Sequence, residues 1–233
     1  MAKCVAIIPA RGGSKRILEK NIKYFHGKPL ITYSIETALQ SGLFNKVVVS
    51  TDDEKIAEVA RRCGAEVPFV RPKALSDDFS GTAEVIAHAL AWLKEQGEVY
   101  DFACTIYATA PLLQPQYLME GFDKLKCSDA VHAFSATSMP FPIQRTFKID
   151  EHGRCKMFFP EYYSARSQDL EEAYQDAGQF YWQDLSKSSS EPLFGKDSIP
   201  ILLPRHLVQD IDTLEDWKHA EVMYKVLEEM GEI

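Results

Sequence analysis

The sequence predicts an α/β fold built on a mostly parallel sheet. Short runs that are apolar on both faces alternate with amphipathic segments of helical spacing. The helical segments are bounded by acidic or Pro starts and Gly stops, which sharpens the alternation. Strands that read as continuous Val/Ile runs belong in a sheet covered by crossover helices on both sides.

Val5–Ala10 is the first such strand. Pro29–Leu43 has helical spacing (Leu30, Tyr33, Ser34, Ala38) with Gly42 near its end. Lys46–Thr51, carrying Val47-Val-Val, is the second strand. Asp52 and Asp53 then open a helix through about Cys63, which Gly64 stops. Glu66–Val70 reads as a short strand, Thr82–Gln96 as an amphipathic helix closed by Gly97, and Phe102–Tyr107 as a strand. Pro115–Lys126 makes a helix and Ala130–Ser135 a strand. After about Ser138 the rhythm changes. Met139–Tyr163 is rich in Pro and aromatics and holds a hairpin-like Lys148–Arg154 segment. Phe180–Trp182 and Ile201–Leu203 read as strands that return to the sheet, followed by an amphipathic helix over about Thr213 to Met230. No internal repeat, low-complexity segment or long Pro/Gly/Ser linker divides the chain. One domain over residues 1–233 is expected, with about 138–176 as an excursion of the kind used for subunit or substrate contacts.

The bulk composition excludes several classes. With 233 residues, 45% hydrophobic, 26% charged and a formal net charge of −8, the chain has the profile of a soluble globular protein. That charge argues against a nucleic-acid partner or a membrane surface. No apolar run approaches the roughly 18 residues of a membrane-spanning helix. The N-terminus runs into a strand without the apolar stretch and cleavage site of a signal peptide. Five scattered cysteines, with no CxxC pair or zinc spacing, read as reduced packing residues. A cytoplasmic protein is expected.

Against the acidic whole stands a basic island. The first 35 residues hold Lys3, Arg11, Lys15, Arg16, Lys20, Lys23 and Lys28 with Glu19 as the single acid. Most of these cations crowd the turn after the first strand, in Arg11-Gly-Gly-Ser-Lys-Arg16 and Lys20-Asn21. A Gly12-Gly13 turn lets backbone N–H groups approach an anion where side chains are absent, and the cations offset charge. The bland alternative is a solvated loop between strand and helix. Neither the GxxxxGK[ST] spacing of a Walker loop nor the GxGxxG of a dinucleotide site is present.

The second constellation is Gln209-Asp-Ile-Asp-Thr213. In extended chain, residues i and i+2 point to one side, so Asp210 and Asp212 can face one hard cation while Ile211 turns to the core. Mg²⁺ takes one or two carboxylates, keeps waters and binds substrate phosphates. The competing explanation is that Asp212 caps the last helix and Asp210 is solvated. Paired with the basic loop, the acidic pair completes a nucleotidyl-transfer site, with cations on the triphosphate and metal on the reacting phosphate.

Ile8-Pro-Ala-Arg-Gly-Gly-Ser-Lys-Arg16 with Lys20-Asn21-Ile22 resembles the N-terminal signature of the CMP-sialic acid synthetases, the acylneuraminate cytidylyltransferases. Val49-Ser-Thr-Asp52, Arg71-Pro72, Thr109-Ala-Pro-Leu112 and Gln209–Thr213 follow in that family's order. The resemblance implies a single Rossmann-like, GT-A-like nucleotidyltransferase domain, a homodimer made through the Pro/aromatic excursion, CTP as donor and a nine-carbon 2-keto sugar acid as acceptor. It implies that Arg11, Gly12, Gly13, Ser14, Lys15, Lys20 and Asn21 hold the nucleotide, with Arg71 and Thr82 along the cytidine side. Arg11 and Lys20 would lie nearest the triphosphate and act in catalysis with Asp210 and Asp212, which would carry Mg²⁺. Arg166 would reach across the dimer to the sugar acid's carboxylate.

The acceptor half departs from the sialate pattern. Tyr107-Ala-Thr-Ala-Pro-Leu-Leu113 stands where sialate members have Gln-Pro-Thr-Ser-Pro-Leu-Arg, and Gln175-Asp-Ala-Gly-Gln179 where they often show Arg-Pro-Asn-Gly-Ala. These segments look most like the pseudaminic acid cytidylyltransferases, which serve glycosylation of bacterial surface proteins such as flagellin. Tyr107 and Gln179 are then expected at the sugar, and Leu113 to replace a polar contact with apolar surface. A site that cannot pair buried hydroxyls rejects the more hydroxylated sugar. Another nonulosonic acid or Kdo as acceptor, and an inactive nucleotide-binding protein, are the alternatives. The hydroxyl's proton acceptor stays open between Asp212 and a metal-associated water. Asp52 is divided between helix cap and ligand. The aromatic group Tyr162, Tyr163 and Phe180–Trp182 reads as packing.

Overall fold

The computed structural model describes residues 2–77 and 80–233. In chain order its elements are β1 (Cys4–Pro9), β2 (Tyr24–Phe25), β3 (Lys28–Pro29), α1 (Leu30–Gln40), β4 (Lys46–Ser50), α2 (Glu54–Arg62), α3 (Thr82–Glu95), β5 (Phe102–Ile106), α4 (Pro115–Lys126), β6 (His132–Ser138), β7 (Phe147–Ile149), β8 (Cys155–Met157), β9 (Tyr174–Asp184), β10 (Ser198–Leu202) and α5 (Leu214–Met230). The main sheet has the order β10-β6-β9-β5-β1-β4. Its pairs are parallel except those of β9, which runs antiparallel between β5 and β6.

Alternation along β1 shows why the sheet is covered on both faces. Cys4, Ala6 and Ile8 face one way, into a core with Ile31 and Ile35 of α1 and Leu118 of α4. Val5 and Ile7 face the other, against Ile86, Ala89 and Leu93 of α3. Each strand residue therefore buries apolar surface at about 25 cal/mol per Å² whichever way it points.

Two expectations are corrected. Glu66–Val70 is no strand: a single bridge joins Glu66 to Val48. Pro68 follows two residues later and has no N–H for a ladder. The strand expected at Phe180–Trp182 is far longer, because its first half is polar and exposed and pairs with β6 only through the backbone. The excursion carries the short antiparallel pair β7–β8, with Phe141, Phe147, Ile149 and Tyr163 exposed.

The last element decides where the site lies. Trp217 and Ala220 of α5 pack on Phe25, Leu30 and Tyr33 near the N-terminal loop, together with Ile211. Phe25 contacts Trp217 and Tyr33 edge-on, each with ring centroids 5.5 Å apart. This packing carries residues 209–213 back to the basic loop.

Candidate active site

The basic loop leaves β1 at Ala10, whose N–H donates to Ser50 O at 2.9 Å. Gly12 then passes tight against the start of α2. A Cβ at Gly12 would lie 2.7 Å from Asp53 Oδ2, whereas one at Gly13 would meet nothing within 4 Å. The Gly12 N–H donates to Asp52 Oδ1 at 3.0 Å, and Asp53 caps α2 by accepting from Lys55 N and Ile56 N. Asp52 therefore holds the loop, and Asp53 is the cap. The Gly12 amide expected to meet phosphate is already committed to a carboxylate, and neither glycine borders the cleft.

Farther on, Glu19 takes a left-handed conformation (φ 49°), and its carbonyl accepts from Ile22 N and Lys23 N in a short 3₁₀ turn over Lys20–Ile22. Asn21, buried in that turn, donates from Nδ2 to Arg11 O at 2.9 Å and closes the loop. The turn also aims Lys20 across to the C-terminal segment. Its Nζ donates to Ile211 O at 2.6 Å and lies 3.3 Å from Asp212 Oδ1. Arg16 approaches the other oxygen, Asp212 Oδ2, at 2.9 Å. Asp212 is thus the point where basic loop and acidic segment meet.

A cleft of about 600 Å³ opens beside this contact. Arg11, Ser14, Lys15, Lys20, Asn21 and Arg71 border it, with Thr82, Tyr107 and Asp212. Arg71 is buried, with Nε donating to Ser50 Oγ at 3.1 Å and NH2 to Ser50 O. Burial pulls its pKa down, opposed by the Asp52 carboxylate. Arg11 donates from NH1 to Asp77 O at 2.7 Å. Arg11, Lys20 and Arg71 each donate to a backbone carbonyl, which fixes where their charge sits along the cleft.

A second cleft of about 570 Å³ adjoins the first through two shared residues, Tyr107 and Asp212. Its other walls come from β9 (Gln175, Asp176, Gly178, Tyr181) and from Gln209, Asp210 and Asp216. The helix cap expected at Asp212 belongs instead to Thr213 and Asp216. Asp216 Oδ2 accepts from Thr213 N at 2.7 Å and from Asp212 N at 3.1 Å, so Asp212 keeps its side chain for the cleft. Ile211 is fully buried between the two acids, as the i, i+2 spacing requires.

Asp210 and Asp212 present hard oxygen donors to the junction of the clefts. Among the described residues no larger group of His, Cys, Asp or Glu is placed to hold a metal. Although the Asp210 side chain reaches solvent, desolvation and then the Asp212 charge raise its pKa, against Lys20 and Arg16. Two neighbouring carboxylates that repel each other, with Arg16 and Lys20 alongside, fit a Mg²⁺ ion that draws its remaining ligands from substrate and water.

Two residues expected at the acceptor lie elsewhere, and a third, Arg166, was expected to act only across the dimer. Gln179 is buried, its Nε2 donating to Leu207 O at 2.5 Å, and it borders neither cleft, because the β9 backbone turns its side chain inward. Leu113 packs in the core with Leu118, since the chain after β5 turns down onto α4. Arg166 sits on the excursion, paired with Asp169 at 2.7 and 3.1 Å, outside both clefts of this chain. Arg16 was named among the loop cations but given no role of its own. Tyr181, expected to be packing, lines the second cleft instead and donates to Asp176. Asp176 and Asp216 were not expected at the site, because their places depend on strand pairing and capping.

The cytidylyltransferase family profile matches residues 5–182, which include both the basic loop and the β9 wall. The chain belongs to the cytidylyltransferase family. It is 49% identical over 226 residues to the pseudaminic acid cytidylyltransferase of Campylobacter jejuni, covering 96% of this chain and 97% of that one. It is 30% identical over 236 residues to the CMP-N,N'-diacetyllegionaminic acid synthase of Legionella pneumophila, covering 97% and 98%. In fold it matches CMP:2-keto-3-deoxy-manno-octonic acid synthetase, solved with CTP. The TM-score is 0.67 and the identity 15%, over 96% of this chain and 99% of that one. As a cytidylyltransferase, the chain carries its basic loop and its paired acids at one junction, the arrangement expected from the sequence.

Proposed function

We propose that this cytidylyltransferase transfers CMP from CTP to a nine-carbon 2-keto sugar acid, pseudaminic acid, and releases pyrophosphate. The observation that carries the reading is the pair of clefts joined at Tyr107 and Asp212, one rimmed by cations and the other by β9. The 49% identity to the C. jejuni enzyme selects the acceptor.

CTP occupies the first cleft, its triphosphate against Arg11, Ser14, Lys15 and Lys20 and its cytidine toward Arg71 and Thr82. The acceptor's anomeric hydroxyl enters from the second cleft and attacks the α-phosphorus in line, giving up its proton to Asp212 or to water. The P–O bond to the β-phosphate breaks, and pyrophosphate leaves with the bridging oxygen. Lys20 and Arg11 stabilise charge on the leaving group, and positioning supplies much of the rate. Asp210 and Asp212 hold Mg²⁺, which when bound supplies charge stabilisation at the reacting phosphate. Asp212, fixed by Arg16 and Lys20, orients that corner of the site.

The same reading makes residues 1–233 one catalytic domain and the protein a homodimer. The exposed apolar side chains of the 138–176 excursion form the subunit contact, from which Arg166 reaches a neighbouring sugar site. The product is a donor for surface or flagellin glycosylation. Five free cysteines suit a reducing cytoplasm, and no helix among the described residues is long and apolar enough to cross a membrane.

The test is pyrophosphate release with CTP, Mg²⁺ and a panel of pseudaminic, legionaminic, N-acetylneuraminic and 2-keto-3-deoxy-octonic acids. Turnover strongest with pseudaminic acid is expected. Turnover with N-acetylneuraminic acid alone defeats the acceptor assignment, and CTP binding without turnover of any acid defeats the enzyme.

A further inference from the structure

The β9 wall of the second cleft contains a distortion with a chemical consequence. In a regular strand, residues five apart point to opposite faces and lie roughly 16 Å apart. Asp176 and Tyr181 are five apart, yet the Tyr181 hydroxyl donates to Asp176 Oδ2 at 2.6 Å. The register explains it. Tyr181 pairs with Phe134 and Asp176 with Ala136, so residues 177–180 bulge opposite Ser135 alone. Ser135 Oγ takes the N–H groups of Gln179 and Phe180, both at 3.1 Å. Gly178 turns the chain at φ 64°, and its N–H donates to Asp176 Oδ1 at 2.9 Å. The buried Gln179 amide pins the bulge to Leu207. Bulges of this kind beside sites re-aim side chains.

This bulge gives direction to a line of hydroxyls. An ionised carboxylate only accepts hydrogen bonds, so Asp176 commits the single proton of Tyr181. Burial comes first in raising the Tyr181 phenol, followed by Asp176 and the neighbouring Tyr107 phenol. The Tyr107 ring lies 5.3 Å from that of Tyr181, and the Tyr107 hydroxyl is 3.4 Å from Thr82 Oγ1 in the first cleft. With its proton spent on Asp176, the Tyr181 oxygen accepts from the neighbouring Tyr107 hydroxyl, which leaves the Tyr107 oxygen as the acceptor at the end of the line.

We propose that Asp176 is a positioning residue for the acceptor sugar: by fixing the Tyr181 proton it presents the Tyr181–Tyr107 pair to the second cleft as a hydrogen-bond acceptor, and so selects a sugar acid offering an N–H donor there, as an acylamino group does. The inference rests on the transferase reading. A relative named for an N,N'-diacetyl sugar acid fits the same ligand chemistry.

The experiment compares wild type with Asp176→Asn and Tyr181→Phe. Each is assayed with CTP and either pseudaminic acid or its analogue in which an ester-linked acyl group replaces an acylamino group. Wild type is expected to prefer the acylamino acceptor by about tenfold in kcat/KM, the scale of one hydrogen bond. Asp176→Asn should raise the acceptor KM about tenfold, leave the KM for CTP within about twofold, and shrink that preference to about threefold or less. Tyr181→Phe keeps the Ser135 and Gln179 ties, so it serves if Asp176→Asn does not fold, and the same loss is expected. An unchanged acylamino preference, or equal rises in both KM values, overturns the assignment. A wild type silent toward every sugar acid removes the transferase reading itself; a working wild type beside unchanged variants removes this assignment alone.

Discussion

The two clefts have nearly the same volume but are built in opposite ways. The first cleft, proposed for the nucleotide, takes most of its cations from one stretch of chain, residues 11–21, closed on itself by Asn21 and anchored by Asp52. The acceptor cleft is assembled from Tyr107 after β5, the bulged start of β9 and the 208–216 segment. The first centres on a charged loop tied both to backbone carbonyls and to the carboxylates of Asp52 and Asp212, and it suits a ligand that brings several negative charges. The second is set by side chains on distant elements, and of these only Tyr107 and Asp212 also border the first cleft. A fold that keeps one donor and varies its acceptor has reason to separate the two.

Substitutions can break that division, starting where the halves meet. Asp212→Ala removes the shared acid, and kcat for pyrophosphate release should fall roughly 100- to 1,000-fold. Asp210→Ala should fall comparably while CTP binding, followed by calorimetry, survives. If either variant retains near-normal turnover, the acidic pair is not the metal site. Lys20→Ala belongs to the nucleotide half and should cost about 100-fold in kcat/KM for CTP while the acceptor KM stays put. A matched rise in the acceptor KM would show that the halves are not separable.

Gly12→Ala tests the loop's anchorage against its neighbour. The added methyl would meet Asp53 at 2.7 Å, so CTP affinity should drop about tenfold with a lower Tm. Gly13→Ala, with open space around it, should leave both near wild type. The smallest effect lies away from both clefts. Burial lowers the pKa of His132, with Asp197 opposing. Below the unfolded-state value near 6.5 the unfolded chain binds a proton that the folded one resists, so stability falls as pH drops through that region. His132→Gln should flatten this part of the stability curve in urea melts, and an unchanged slope would assign the loss to other groups.

Legibility followed the same division. The basic loop was readable because its chemistry is contiguous: cations, glycines and Asn21 fall within about one loop's length of a strand that is apolar on both faces. Asp210 and Asp212 were readable because the two-residue spacing of an extended segment puts both on one side and Ile211 in the core, and the fold does so. Gly12 was singled out for the wrong reason, since its value lies in letting α2 approach and its amide serves Asp52. Gln179 and Leu113 were misplaced at the sugar because motif position says where a residue lies along the chain and not which way it faces. Glu66–Val70 failed as a strand for a local reason, Pro68, which was visible in the sequence. The length and direction of β9 were not visible, because its polar first half has no apolar period and is held by backbone pairing with β6.

By itself, then, the sequence determined the alternation of strands and helices, the strands buried on both faces, and the two charged segments at opposite ends. Short-range periodicity and local composition are enough for those. Only the tertiary structure decided that α5 packs on Phe25 and Tyr33 and so brings Asp212 to Arg16 and Lys20, across a sequence separation of 192 residues for the lysine. It also decided that β9 runs antiparallel and bulges opposite Ser135, joining Asp176 to Tyr181. Both are contacts between remote parts of the chain. They are fixed by which apolar faces must be buried together and by which backbone groups must be paired, and neither condition is written at any single position.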